Sequence, residues 1–276
     1  MPSTLEEVKT GDQAKLFLHP LSYKTLHLYN WLDGARIMIY NDAHYPFENV
    51  PLIKAVMRFQ ADYNPHGIII AGDWLDFYEL SSFDKNPSRK FSLQDELDLG
   101  HKSLERIRAI SPEARIVFIA GNHEDRLRRW LWKNPGTSSL RDLTVKKQLG
   151  LKELEIDDLA YGSMVDLCGF LIEHGHRAAK SGAFPANVAR LMAIERGTSG
   201  LCGHDHRSQV YRWADQRGSH TYINNGSLCL TTLEYVASPN WQSALCIGRI
   251  FNGRFFPVPV IVQGKGFIGD GKLYRL

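Results

Sequence analysis

Cysteine is scarce. Only Cys168, Cys202, Cys229 and Cys246 occur in 276 residues, widely spread and with no C-x-x-C pair. That spacing speaks against a disulfide framework or a thiolate zinc knuckle and leaves reduced, buried thiols as the expectation. Long apolar runs are missing too. None approaches the ~18 residues of a bilayer-crossing helix, so no membrane association is expected. Nor is there a surplus of charge of one sign, with 33 Lys and Arg against 30 Asp and Glu. Bulk electrostatics therefore gives no argument for nucleic-acid binding, and any basic patch has to be local. Internal repeats, low-complexity tracts and long Pro/Gly/Ser linkers are absent. Residues 1–10 are charged and lack the apolar core of a secretory signal, which makes a cytoplasmic location the expectation.

What is present is a rhythm. Short apolar runs at 35–42 (ARIMIYND), 67–73 (GIIIAGD) and 115–122 (RIVFIAGN) are predicted strands. Between them, 50–63 and 93–110 carry apolar residues at helical spacing: Leu52, Val56 and Phe59 in the first, Leu97, Leu104 and Ile107 in the second. Strand, helix, strand, helix, strand predicts right-handed crossovers and a largely parallel, buried sheet. Beyond about residue 160 the texture becomes β-rich, with hairpin breaks at Gln216-Arg217-Gly218 and Asn252-Gly253. A last helix at 184–197 is stopped by Gly197. Two sheets packed face to face with helices outside accommodate both textures. One domain over 35–276 is expected, preceded by an extension, 1–34, of unassigned role.

The chemistry sits where these strands stop. In an open α/β sheet, ligands collect beyond the carboxyl ends of the strands. Those ends read Asp42-Ala43-His44, Gly72-Asp73-Trp74-Leu75-Asp76 and Gly121-Asn122-His123-Glu124. In the β-rich half they read His174-Gly175-His176 and Gly203-His204-Asp205-His206. Six of the eleven histidines fall in these five stretches. Singly, each is an ordinary capped turn; five in one chain, all at strand ends, are not. Imidazoles with carboxylates and an amide oxygen form a ligand set suited to Mn²⁺, Fe or Zn²⁺ rather than to a thiolate or calcium site.

In this order, D-x-H, G-D-x-x-D, G-N-H-E, H and G-H-x-H, the blocks resemble the calcineurin-like metallophosphoesterase superfamily over roughly residues 36–210. The resemblance implies a four-layer α-β-β-α sandwich of two mixed sheets with a two-metal site at the strand C-termini. It implies that Asp42, His44 and His206 hold one metal and that Asn122, His174 and His204 hold the other, with Asp73 bridging. The expected cofactors are two divalent ions, Mn²⁺ first, with Fe or Zn²⁺ as alternatives, activating a bridging water as nucleophile. His123 is implied to be the general acid, with Asp76 holding its ring.

Substrate choice turns on the basic residues. Read as a helix, 126–133 turns Leu127, Trp130 and Leu131 inward and puts Arg126, Arg129 and Lys133 on a neighbouring stripe. Arg177 and Lys180 follow the fourth block and Arg207 the fifth. The stripe is either an ordinary solvated face or the contact surface for a polyanionic substrate. Arg126, Arg129, His176, Arg177 and Arg207 are thus the candidate substrate contacts. Trp74, Trp130 and Trp132 are either core or stacking surfaces, and Asp205 is either an inward carboxylate or a local cap. The expected activity is phosphodiester cleavage of nucleic acid or nucleotides. The alternative is a phosphomonoesterase on small phosphates, nucleotides or phosphoproteins. A non-catalytic scaffold on the same fold would be expected to have lost ligands, and none is missing. The stretch 134–160 is a candidate cover over the site.

Overall fold

The computed structural model describes residues 23–82, 84–137, 140, 142–175, 187–232 and 240–276. Three strands, β2 (Arg36–Tyr40), β3 (Gly67–Ala71) and β4 (Arg115–Ile119), lie parallel and adjacent. Helices α1 (Val50–Tyr63) and α2 (Leu93–Ile110) connect them, with the bounds the periodicity predicts. Asn49 caps α1 by accepting from the Leu52 N–H, and Ser92 with Asp95 forms a capping box on α2.

Period-two alternation divides these strands between two interiors. Met38, Tyr40, Ile68, Ile70, Ile116 and Phe118 face α1 and α2. Ile37, Ile39, Ile69, Ala71, Val117 and Ile119 face a second sheet. Burial on both faces is why these strands read as continuous apolar runs. After α3 (Asp125–Lys133) and the short α4 (Val145–Gln148), β5 (Ile156–Leu159) joins the parallel edge. Strands β11 (Ala244–Phe251) and β12 (Arg254–Ile261) join antiparallel at the other edge, giving the order β12-β11-β2-β3-β4-β5.

The second sheet has the order β1-β6-β7-β8-β10-β9. It comprises β1 (Thr25–Leu28), β6 (Met164–Leu167), β7 (Phe170–Ile172), β8 (Gly200–Cys202), β9 (Ser208–Asp215) and β10 (Gly218–Asn225). Helix α5 (Val188–Arg196) packs Val188, Met192 and Ala193 on its outer face against Cys202 and Tyr222. The layers are therefore helices, mixed sheet, mixed sheet, helix, as expected, and a small ribbon of β13 (Gly266–Gly269) and β14 (Lys272–Arg275) packs beside α1. Both predicted hairpin breaks fall between paired strands, β9 with β10 and β11 with β12. All four cysteines are unbridged. Within 1–34, β1 forms an edge of the second sheet, parallel to β6. Leu149 and Leu151 are buried in the α1–α2 core, so this part of 134–160 completes the body of the domain.

Candidate metal centre

The loops that leave β2 and β3 are zipped together. Asp42 donates its N–H to Gly72 O, His44 to Asp73 O, Tyr45 to Trp74 O, and Asp76 back to Tyr45 O, at 2.9–3.0 Å. Asp42, His44, Asp73, His204 and His206 all adopt positive φ, 49–77°. Such backbone is costly for residues with a Cβ and persists only where surroundings enforce it. Here it turns five ligand-type side chains toward one point. Glycines allow that approach. A Cβ on Gly121 would fall 2.1 Å from Asp73 Oδ1, and one on Gly203 2.3 Å from Asp42 Oδ2.

Three groups of donor atoms result among the described residues, each with its atoms within 4.8 Å of one another: Asp42, His44 and His206 on one side, Asp73, His174 and His204 on the other, and His44, Asp73 and His123 between them. In the first, His44 Nε2 lies 3.0 Å from His206 Nε2, while Asp42 Oδ1 lies 3.6 and 3.3 Å from those two nitrogens. In the second, His174 Nε2 lies 2.9 Å from Asn122 Oδ1 and 3.2 Å from Asp73 Oδ2. The same Asp73 oxygen is 3.7 Å from His44 Nε2, so it stands between the groups. His204 joins Asp73 and His174 in the second group.

The far nitrogens of the imidazoles fix the tautomers. His174 Nδ1 donates to Ala71 O (3.1 Å) and His44 Nδ1 to Asp76 Oδ2 (3.2 Å), leaving both Nε2 lone pairs directed inward. Cys229 Sγ lies 3.6 Å from His206 Nδ1, and the Trp241 ring packs edge-on against His206 at 4.3 Å. Neither residue stood out in the sequence, because both come from beyond the five blocks.

Do these residues fit a pair of cations? Asp42 Oδ1 and His204 Nδ1 are buried without a hydrogen-bond partner, which is costly unless something binds them. Electrostatics agrees. Burial disfavours charge on His174 and His206, yet Asp73 holds the first imidazole, and Cys229 with Asp42 the second, up at about 9. His44 is likewise raised, by Asp42, Asp76 and Asp73 against burial. Burial opposes ionisation of Asp42 and Asp73 as well, but the surrounding imidazoles keep both ionised. The cavity concentrates negative charge and draws protons to balance it; cations with vacant orbitals satisfy the same field and the same lone pairs. The residues fit.

His123 sits at the rim. Its N–H donates to Asp73 Oδ1 (2.9 Å), and its Nδ1 donates to the Asp76 carbonyl (2.7 Å). The Asp76 carboxylate is 3.7 Å from that nitrogen and closer to His44. Asp76 therefore serves both rings, His123 through its main chain and His44 through its side chain. Arg126 donates to the same carbonyl (2.8 Å) and to His123 Nε2 (3.0 Å). Burial, reinforced by His44 and Arg126 against Asp73 and Asp76, lowers His123 to about 3.

The acidic pair after His123 is structural in two ways. Glu124 is buried and accepts from the main-chain N–H groups of Gly121 (2.7 Å), Leu75 (2.9 Å) and Asp73 (3.0 Å). It staples the β3 loop to the β4 loop, beyond the helix-terminus role that its position suggests. Asp125 binds Arg128 and Arg129, each through Nε at 2.6 Å. Of these three arginines, Arg126 is the one hydrogen-bonded to His123. Arg207 follows His206 at the start of β9, its N–H donating to Asp205 Oδ1 (3.0 Å), so Asp205 is a local cap. Trp74 is core, and Trp132 is exposed beneath Arg128. His176, Arg177 and Lys180 lie outside the described residues.

Comparison with known proteins agrees with the strand-end pattern. Residues 35–219, more than half of the chain, match the model of the calcineurin-like phosphoesterase family. Gene 54 protein of Mycobacterium phage D29 is 25% identical over 270 residues, covering 88% of this chain and all of that one. Gene 54 protein of Mycobacterium phage L5 is 23% identical over 258 residues with the same coverage. Among solved structures, Vacuolar Protein Sorting 29 from Cryptosporidium parvum is 11% identical with a TM-score of 0.44, covering 88% of this chain and 95% of its own. Yfce, a phosphoesterase from E. coli, is 15% identical with a TM-score of 0.35, covering 77% and 87%. The chain belongs to the calcineurin-like phosphoesterase family and is a metal-dependent phosphoester hydrolase.

Proposed function

We propose that this hydrolase is a two-metal phosphodiesterase acting on nucleic acid or nucleotides, with Mn²⁺ as the working ion. Asp42, His44 and His206 would hold one ion, Asn122, His174 and His204 the other, and Asp73 would be shared between them. When bound, such ions draw charge from the phosphoryl oxygens and acidify water. The protein's own work is positional. Asp42 and Asp73 are held ionised, and the inward Nε2 atoms of His44 and His174 are presented as ligands by Asp76 and Ala71. His123 keeps its Nδ1 proton on the Asp76 carbonyl while its Nε2 accepts from Arg126. To act as general acid, Nε2 would first have to take up a proton as the anionic substrate binds, and would then pass that proton to the departing oxygen.

The observation that carries the diester reading is Arg126. Its guanidinium is fixed beside His123 Nε2, where a leaving group would depart with His123 as its acid. A cation there suits a leaving group that bears a further phosphate, as the next nucleotide of a strand does. The monoester reading draws on Asp125, which engages Arg128 and Arg129 and removes two of the cations that a broad basic groove would use. Hydrolysis of bis(p-nitrophenyl) phosphate and of p-nitrophenyl phosphate by Mn²⁺-loaded protein separates the two. Preference for the diester is expected, and turnover of the monoester alone would overturn the reading.

A further inference from the structure

Behind Asp42 lies a buried amide network that the five sequence blocks do not include. Asn41 directly follows β2 of the first sheet, and Asn225 is the last residue of β10 in the second. Both are buried. The Asn41 amide nitrogen donates to Asp42 Oδ2 (2.6 Å) and to Gly226 O (2.6 Å), while its oxygen accepts from Asn225 Nδ2 (2.5 Å). Two acceptors on one side of the amide and a donor on the other fix its orientation. Asp42 Oδ2 also accepts the His204 N–H (2.9 Å). The other oxygen, Oδ1, has no hydrogen-bond partner among the described residues, and lies 3.3 Å from His206 Nε2 and 3.6 Å from His44 Nε2. One carboxylate thus has an anchored oxygen and a presented one. The anchor is closely surrounded: a Cβ on Gly203 would fall 2.3 Å from Asp42 Oδ2 and 2.7 Å from Asn41 Nδ2.

Burying an amide between two sheets is costly unless all its groups are paired, and an apolar side chain would fill the same space without that demand. The pairing here is spent on a carboxylate of the metal centre. We propose that Asn41, held by Asn225, is a positioning residue for that centre: it occupies Oδ2 of Asp42 so that Oδ1 is the oxygen offered to the ion shared with His44 and His206. Asn41 has this role within the two-ion reading of the same centre, on which the inference rests. A carboxylate free at both oxygens swings between one-atom and two-atom ligation. With Oδ2 anchored, it offers one atom in one place, which lowers the ordering cost of meeting an ion. Asn225 belongs to the sheet whose β8 leads into His204 and His206. The network therefore fixes a ligand from the first sheet relative to ligands from the second.

The test titrates metal-stripped protein with Mn²⁺ by calorimetry, for wild type, Asn41→Leu, Asn225→Ala and Ile223→Ala. Asn41→Leu keeps the volume and removes the donor to Asp42. It is expected to bind one ion about 10–100-fold more weakly and the other as wild type does. Asn225→Ala loosens Asn41 without touching Asp42 and is expected to weaken the same ion by roughly tenfold. Ile223 is buried between the same two sheets, so its truncation supplies a packing loss that removes no polar group. Ile223→Ala should bind both ions with wild-type affinity. Unchanged affinity in Asn41→Leu overturns the proposal, and in Asn225→Ala it overturns the support from the second sheet. Equal weakening of both ions, or an equal loss in Ile223→Ala, overturns it too, since either marks general loosening. If Asn41→Leu shows no cooperative melting, Asn225→Ala decides by the same criteria. A wild-type chain that takes a single ion sinks the two-ion reading; Asn41 then stands if its loss weakens that ion and falls if it does not. A wild-type chain that takes none sinks both.

Discussion

Removing the carboxylate of Glu124 should unfasten the centre from within. This side chain accepts three main-chain N–H groups, from Gly121, Leu75 and Asp73, and is itself buried. In Glu124→Ala all three donors lose their partner at once. An orphaned buried donor costs roughly 1–3 kcal/mol, so about 3 kcal/mol is the least expected. In Glu124→Gln the amide oxygen can still take the Gly121 and Asp73 donors, which share Oε2, and only Leu75 faces an N–H. The expected cost is then about 1 kcal/mol. At about 2–4 °C per kcal/mol for a chain of this size, the melting temperature of metal-free protein should fall by about 6–12 °C for alanine and about 2–4 °C for glutamine. Differential scanning calorimetry of the three proteins under one buffer reads both values. Equal, small shifts would refute the staple and make Glu124 an ordinary helix-terminus acid.

Three further outcomes follow from individual residues. Burial, with the charges of Asp76 and Glu124, pushes Glu96 up to about 8, above its ordinary 4.5. A carboxyl whose pKa rises on folding contributes stability that is present below about 4.5 and is lost as pH rises toward 8, at up to about 1.4 kcal/mol per pH unit. Glu96→Gln keeps an acceptor for the Phe77 N–H, so its stability relative to wild type should grow across that window in urea unfolding of metal-free protein; parallel pH profiles would contradict this. Gly121→Ala places a Cβ 2.1 Å from Asp73 Oδ1 and 2.4 Å from Asp73 N, and should lower metal content measured by mass spectrometry. Full occupancy in that variant would show that Asp73 has room to move. His123→Ala should retain its metals and lose about 10²–10⁴-fold in turnover of a chromogenic diester, since only the proton donor is removed. Wild-type turnover would take His123 out of the mechanism.

The parallel strands and their helices were legible because burial on both faces leaves an unbroken apolar record. Helices α1 and α2 match their predicted spans, and each strand ends beside the block that named it. The polar residues of those blocks were visible for the same reason: they interrupt an apolar run at a fixed place. What escaped notice comes from contacts with no local period. Trp241 and Cys229 reach His206 from a segment with no strand-end pattern of its own, and two of the three main-chain donors that Glu124 binds are about fifty residues away. Spacing alone left the basic residues of this helix open between a solvated face and a substrate contact, and the partner of Arg128 and Arg129 is Asp125, three and four residues back on the same helix. Phe47 and Tyr78 likewise meet across two loops, with Arg89 over both rings, and no spacing encodes that.

The account centres on one carboxylate, Asp73, standing between two sets of ligands. Calorimetric titration of metal-stripped protein with Mn²⁺, repeated on Asp73→Asn, tests it most directly. Two ions per wild-type chain and the loss of both in the variant are the expected result. A single ion in wild type, or two retained in Asp73→Asn, would contradict the shared site from which the rest of the chemistry is derived.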